Sequence, residues 1–141
     1  TQRHSGALVL TGLTSLCPLG VDVERLSRQV EFADLSNRFF SPEEAEVIRR
    51  HPGGECRRVF FDTWVCKEAF IKAVGHGLTM PLDSFTVRFE GERTTVGASS
   101  GKGNPHLRTP WALHRFELAL DYVGAVAAPA ESVALSGFRL Q

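Results

Sequence analysis

The sequence predicts an α+β domain, an antiparallel sheet with helices packed on one side, and three observations predict it. Segments of strand length, alternating or short and apolar, stand towards both ends of the chain, at residues 7–13, 19–24, 84–89, 93–96, 111–120, 122–128 and 133–139. Helix signals are confined to the middle, between residues 30 and 74. Helices gathered together, rather than alternating one by one with strands, point away from a parallel α/β arrangement.

The first segment, 7–13, is apolar and flanked by Gly6 and Gly12. Before it stands His4-Ser5-Gly6, a turn that either sits on the surface or presents an imidazole and backbone N–H groups to an anion. In the next segment, Gly20-Val21-Asp22-Val23-Glu24, Val21 and Val23 point to one side and Asp22 and Glu24 to the other. Alternate Cα atoms on a strand are about 7 Å apart. Two carboxylates at that spacing either form the polar outer face of an edge strand or share a hard divalent cation. Residues 30–40 form a short helix ending in aromatics. Ser41-Pro42-Glu43-Glu44 then starts a second helix: Ser41 caps, Pro42 takes the first helical position and Glu44 completes a capping box. That helix stops at Pro52-Gly53-Gly54.

The third helix carries the central stretch. From residue 60 to 74 apolar side chains fall on nearly every side, the pattern of a helix sunk in a core, and Gly75 and Gly77 suit its exit. Glu68 and Lys72 project within about 40° of each other and share their sector with Phe61, Trp64 and Val65. Two ionisable groups in an apolar stripe are either a solvated i,i+4 pair or part of a site. After Leu78, residues 84–89 and 93–96 read as a hairpin around Gly91-Glu92, and residues 97–105 as a loop. Strands at 111–120 and 122–128 and a last edge strand at 133–139 complete the sheet.

The chain has 141 residues, enough to bury a core as one domain, with 43% apolar and 23% charged residues. The formal net charge is zero, so no global field draws it to nucleic acid or an anionic membrane. Arg49, Arg50, Arg57 and Arg58 lie among Glu43, Glu44, Glu46 and Glu55, as on a solvated face. Cys17, Cys56 and Cys66 are odd in number and form no CxxC. Neither a disulfide framework nor a zinc site is expected, and reduced thiols of a cytoplasmic protein are. No apolar run reaches membrane-spanning length and no signal peptide is visible. The chain opens on Thr1 and runs almost at once into a strand, as a piece of a larger architecture would.

Gly20-Val21-Asp22-Val23-Glu24, then Phe39-Phe40-Ser41-Pro42-Glu43-Glu44, then Trp64-Val65-Cys66-Lys67-Glu68-Ala69-Phe70-Ile71-Lys72, in that order, resemble the 4′-phosphopantetheinyl transferases. Gly75-His76-Gly77-Leu78 and Pro81-Leu82-Asp83-Ser84-Phe85 resemble the larger, surfactin-synthetase-type branch of that family, and His4-Ser5 stands where the branch carries a Ser-His-Ser element. The likeness is close from His4 to about Phe89, and it is to the C-terminal half of a pseudo-dimeric fold whose active site lies between two similar halves. It implies Mg²⁺-dependent transfer of the phosphopantetheine arm of coenzyme A to a serine of an apo acyl or peptidyl carrier protein, releasing adenosine 3′,5′-bisphosphate. It further implies Asp22, Glu24 and Glu68 as metal ligands, Lys72 and His4 as phosphate contacts and Lys67 as a cofactor-binding residue. Glu68 and Lys72 are the catalytic pair, with Glu68 placed to take the serine proton. A second half-domain, from another copy or another chain, is expected. Arg3 departs from the pattern, standing where the family usually has serine. The same residues also suit a non-catalytic half that binds coenzyme A and carrier, or another Mg²⁺-dependent phosphodiesterase or nucleotidyl transferase.

Overall fold

The computed structural model describes residues 2–5, 8–14, 17–75, 80–99, 103–119 and 121–130. Two short strands, β1 (Gln2–Ser5) and β2 (Leu8–Thr11), precede β3 (Gly20–Arg25). Three helices follow, α1 (Phe32–Phe39), α2 (Pro42–Arg50) and α3 (Glu55–Val74), and then β4 (Phe85–Glu90), β5 (Arg93–Ala98), β6 (Trp111–Ala119) and β7 (Tyr122–Pro129). Five of the strands form one antiparallel sheet in the order β3-β7-β6-β5-β4, and β1 and β2 pair separately. The α+β reading of the sequence holds.

Local chemistry explains the helices. Ser41 Oγ accepts from the Glu44 amide while the Glu44 carboxylate accepts from the Ser41 amide, the capping box that the sequence spells, with Pro42 at the first helical position. Helix α3 ends at Gly75, whose φ of 81° is the left-handed conformation that favours glycine. Burial on several sides of α3 is as the apolar pattern requires: Phe60, Phe61, Val65, Cys66, Ala69 and Phe70 are each at most 1% exposed. The helix lies across β3 and β7, and α1 and α2 pack on each other and on α3. Ala125 and Ala127 of β7 face it, and small side chains there let the helix approach the sheet closely. The closest approach is at Gly20, where a Cβ would overlap the carbonyl oxygen of Ala69 and the amide nitrogen of Ala73.

The departures are at element edges. His4 and Ser5, read as a turn, belong to β1, where His4 pairs with Val9 and Ser5 with Leu8. Helix α1 starts at Phe32 rather than residue 30, and β5 runs on to Ala98, shortening the expected loop. The strand expected at 133–139, and Gly77, lie outside the described residues.

Candidate active site

Strand β3 is at one edge of the five-stranded sheet, yet its acidic face is turned inward. Gly20, Asp22 and Glu24 share that face by the twofold alternation of a strand, and Gly20 fixes it as the face against α3. Asp22 is 0% exposed and Glu24 2% exposed. Their register partners Ala125 and Val123 are core residues of the same layer. Burying two carboxylates side by side is costly unless cations meet them, and the protein supplies cations to both. Lys72 Nζ donates to Asp22 Oδ1 at 2.8 Å and to the Val21 carbonyl at 3.3 Å. Arg28 Nη1 donates to Glu24 Oε2 at 3.1 Å. Glu68 is partly buried on α3, one turn before Lys72. The structure thus brings Asp22, Glu24 and Lys72 into one cluster at the α3–β3 junction, with Glu68 on the adjoining turn.

The donor set is all carboxylate oxygen, which is the chemistry that a hard cation such as Mg²⁺ takes. A three-acid convergence is not seen: among the described residues no group of three His, Cys, Asp or Glu side chains is gathered closely enough to hold a metal ion. The fit to Mg²⁺ is one of donor type and burial, on the two strand acids.

Two other expected site residues stand differently. Lys67 does not face this cluster. It is fully buried, and its Nζ donates to Glu44 Oε1 at 2.8 Å, Glu44 Oε2 at 2.9 Å and the Phe85 carbonyl at 2.7 Å. It also lies 3.9 Å from the centre of the Phe85 ring. Burial pulls its pKa down and the Glu44 charge opposes that. These three hydrogen bonds tie α3 to α2 and β4, and the cofactor-binding role expected for Lys67 stays an expectation. The backbone of His4 lies in β1, and the β1–β2 pair packs against β3; the expectation for its imidazole falls outside what is described. Cys66 is buried and its thiol pKa is pushed up by that burial, which fits packing rather than chemistry.

Arg28 is the residue that sequence reasoning missed. Its spacing of four from Glu24 was the available signal, hidden because the two residues span a strand end and a turn rather than a helix. A cavity of about 500 Å³ also opens between α2, α3 and β4, lined by Glu43, Asp62, Arg88 and Arg115 among others. It uses the Val59–Asp62–Thr63 side of α3, away from the Glu68–Lys72 side, and lies apart from the cluster.

The model of the family described as "ACPS: 4′-phosphopantetheinyl transferase superfamily" matches residues 18–127. A 4′-phosphopantetheinyl transferase of Bacillus subtilis is 34% identical over 119 residues, covering 83% of this chain and 51% of the relative. 4′-Phosphopantetheinyl transferase Sfp of Bacillus subtilis (strain 168) is 38% identical over 85 residues, 60% of this chain and 37% of the relative. The chain therefore spans about half the length, or less, of these curated relatives. Among solved structures, a holo-(acyl-carrier-protein) synthase from Bacillus anthracis str. Ames in complex with coenzyme A (3′,5′-ADP) superposes with a TM-score of 0.64 at 19% identity, over 79% of this chain and 94% of that one. The Helicobacter pylori holo-[acyl-carrier-protein] synthase in complex with coenzyme A superposes with a TM-score of 0.59 at 17% identity, over 77% and 96%. At these identities the two structures speak for the fold.

Proposed function

The chain belongs to the 4′-phosphopantetheinyl transferase superfamily, and from that premise we propose that it carries the catalytic acids and lysine of an enzyme moving the 4′-phosphopantetheine arm of coenzyme A onto a serine of an apo acyl or peptidyl carrier protein. The observation that carries this reading is the Lys72–Asp22 contact of 2.8 Å beside buried Glu24, at the junction of two motifs 50 residues apart.

The chemistry follows from the groups present. The serine Oγ–P bond forms as the bridging P–O bond of the pyrophosphate breaks, and adenosine 3′,5′-bisphosphate leaves. Such a transfer needs positioning and charge neutralisation more than covalent help. Asp22 and Glu24, with Glu68 from the adjoining turn, would hold Mg²⁺, which when bound neutralises charge on the pyrophosphate. Lys72 is on the same cluster and partly exposed, so its ammonium meets the negative charge growing on the leaving phosphate. In this reading Glu68, partly exposed where the strand acids are buried, is the carboxylate that takes the serine proton.

Incubation with an apo carrier protein, coenzyme A and Mg²⁺, followed by the carrier's mass, tests the reading. The expected result is a phosphopantetheine adduct on the carrier, and hydrolysis of coenzyme A without carrier modification would favour the phosphodiesterase class instead. Loss of an acid–base partner typically costs about 10²–10⁴-fold in rate, and the Glu68→Gln enzyme is expected to fall in that range. Near-normal loading by Glu68→Gln at saturating Mg²⁺ would remove Glu68 from both its roles.

A further part of the proposal is that the working site is completed by a second half-domain. Leu13, just past β2, is 90% exposed and Val9 51% exposed, apolar surface of the kind an absent neighbour covers. Light scattering is expected to show self-association or activity that depends on an added half. A fully active monomer would end the idea.

A further inference from the structure

Two cations of different kinds meet the buried acids of β3. Lys72 comes from α3 and reaches two acceptors on the strand, Asp22 Oδ1 at 2.8 Å and the Val21 carbonyl at 3.3 Å; its side chain is 25% exposed. Arg28 comes from the turn after β3 and meets Glu24 Oε2 at 3.1 Å, and its side chain is 52% exposed. A guanidinium that is half in water loses little by leaving a carboxylate, because water takes its donors. Glu24, 2% exposed, has no such freedom: without a cation it is a charge buried at a cost of several kcal/mol. The pair is therefore lopsided, with a partner that can leave and a partner that must be met by something.

The backbone that carries Arg28 is held from three sides. The Leu26 amide donates to the Asp121 carbonyl at 2.8 Å, and the Arg28 amide to the Arg25 carbonyl at 3.1 Å. Arg57 Nη1, from α3, donates to the carbonyls of Leu26 at 3.3 Å and Arg28 at 2.9 Å, with its guanidinium over the Phe32 ring at 5.6 Å. A second arginine thus fixes the turn, so the root of Arg28 stays in place while its head, on a flexible stem, is able to move. Resting on the reading of Asp22 and Glu24 as metal ligands, we infer that Arg28 is a positioning residue with a displaceable head: its guanidinium holds and neutralises Glu24 until Glu24 takes a divalent cation, and then turns out to solvent. Arg28 keeps the acidic strand packed inward in the absence of the ion, and it competes with the ion for the same carboxylate. It thereby sets the concentration at which the site loads. Lys72, the less exposed cation with two acceptors on β3, stays.

Metal binding tests this directly, with Mn²⁺ as the probe and the free ion counted by electron paramagnetic resonance, alone and with coenzyme A. Arg28→Gln removes the competing charge and keeps a donor, so it is expected to bind Mn²⁺ more tightly by about three- to tenfold, the scale of one half-exposed charge acting on a dication. Arg28→Lys restores the charge and should bind near the wild-type affinity. Without metal the unfolding midpoint of Arg28→Gln should lie below that of the wild type, and saturating Mn²⁺ should raise it by more than it raises the wild type. A merely structural arginine gives the opposite sign, since its loss would disorder Glu24 and weaken metal binding. Nitrogen-15 NMR of the wild-type Arg28 guanidinium, assigned with Arg28→Gln, is expected to show slow rotation before Mg²⁺ is added and faster rotation after. Equal or weaker Mn²⁺ binding by Arg28→Gln, or a guanidinium still locked when Mg²⁺ is bound, overturns the inference and spares the ligand reading, provided that Glu24→Gln loses the metal. Absence of Mn²⁺ binding by the wild type in both conditions overturns both.

Discussion

Replacing Glu44 with Gln is expected to destabilise the fold by about 3–5 kcal/mol, the usual cost of removing one partner of a buried ion pair. Both partners are out of water: the side chains of Lys67 and Glu44 are 0% and 1% exposed. The carboxylate ties three elements together. Its Oε1 accepts from the Ser41 amide at 2.9 Å, capping α2, and its Oε2 accepts from the Val87 amide of β4 at 2.7 Å. Both oxygens accept from Lys67 of α3. A glutamine keeps the shape and one acceptor, but leaves a buried ammonium group with neutral acceptors and aromatic faces and no counter-charge. Lys67→Met is expected to cost a similar amount by stranding the carboxylate, and the double variant to cost less than the sum, with a coupling of about 2–3 kcal/mol. Urea unfolding of the four proteins measures this. Strictly additive losses would show that the pair is not a unit.

The pH dependence carries the same signature. Burial is the largest influence on Lys67 and lowers its pKa from the ordinary 10.5, while the Glu44 charge and hydrogen bonds raise it. Removing Glu44 removes that opposition, so the folded-state pKa falls further. Between the folded value and 10.5 the unfolded chain then binds more protons than the folded one, and stability rises with pH across that window. Stability of Glu44→Gln should therefore climb as pH rises towards 10.5, more steeply than that of the wild type. A flat profile would mean that residue 67 keeps its proton without Glu44.

What the sequence made legible is what short-range physics controls. The capping box is a contact between residues three apart, and a helix apolar on nearly all sides has nowhere to lie but in a core. The alternation of Asp22 and Glu24 with Val21 and Val23 was also plain. Whether the acids faced water or protein was not, because a solvated edge and a buried face give the same pattern. The decision rests on the contact of Gly20 with α3, some fifty residues away. Lys67 and Lys72 flank Glu68 in one motif, and the motif does not distinguish them. Helical geometry separates them by about 140°; one meets Asp22 of β3, the other Glu44 of α2. Strand β1 was missed because Gln2-Arg3-His4-Ser5 is polar throughout and has no alternation to read. Asp62, held between Arg58 at 3.1 Å and Arg115 at 3.0 Å, joins α3 to β6 across 53 residues, a separation that local pattern does not cross.

Gly20→Ala is expected to reduce both stability and carrier loading, and to do so through one displacement. The new methyl group would overlap two backbone atoms of α3, the Ala69 oxygen and the Ala73 nitrogen, and backbone in the middle of a helix cannot rotate aside as a side chain can. The helix and β3 must part. Overpacking of a filled core typically costs about 1–3 kcal/mol and occasionally more, and a clash with backbone on both counts belongs at the upper end. The same separation pulls Lys72 away from Asp22, now 2.8 Å apart, and shifts Glu68 relative to the strand acids. A displacement of about 1 Å at a reacting centre costs on the order of 10²-fold in rate, so loading should fall by about that factor even where the protein remains folded. Gly97→Ala is the control: its Cβ meets only the Arg88 guanidinium, the mobile end of a flexible side chain, and should cost little in either measure. Denaturation midpoints and carrier-loading rates of the two variants, compared at a temperature where both are folded, decide the matter. A Gly20→Ala enzyme of normal rate would show that the distance between α3 and β3 does not set the geometry of the transfer.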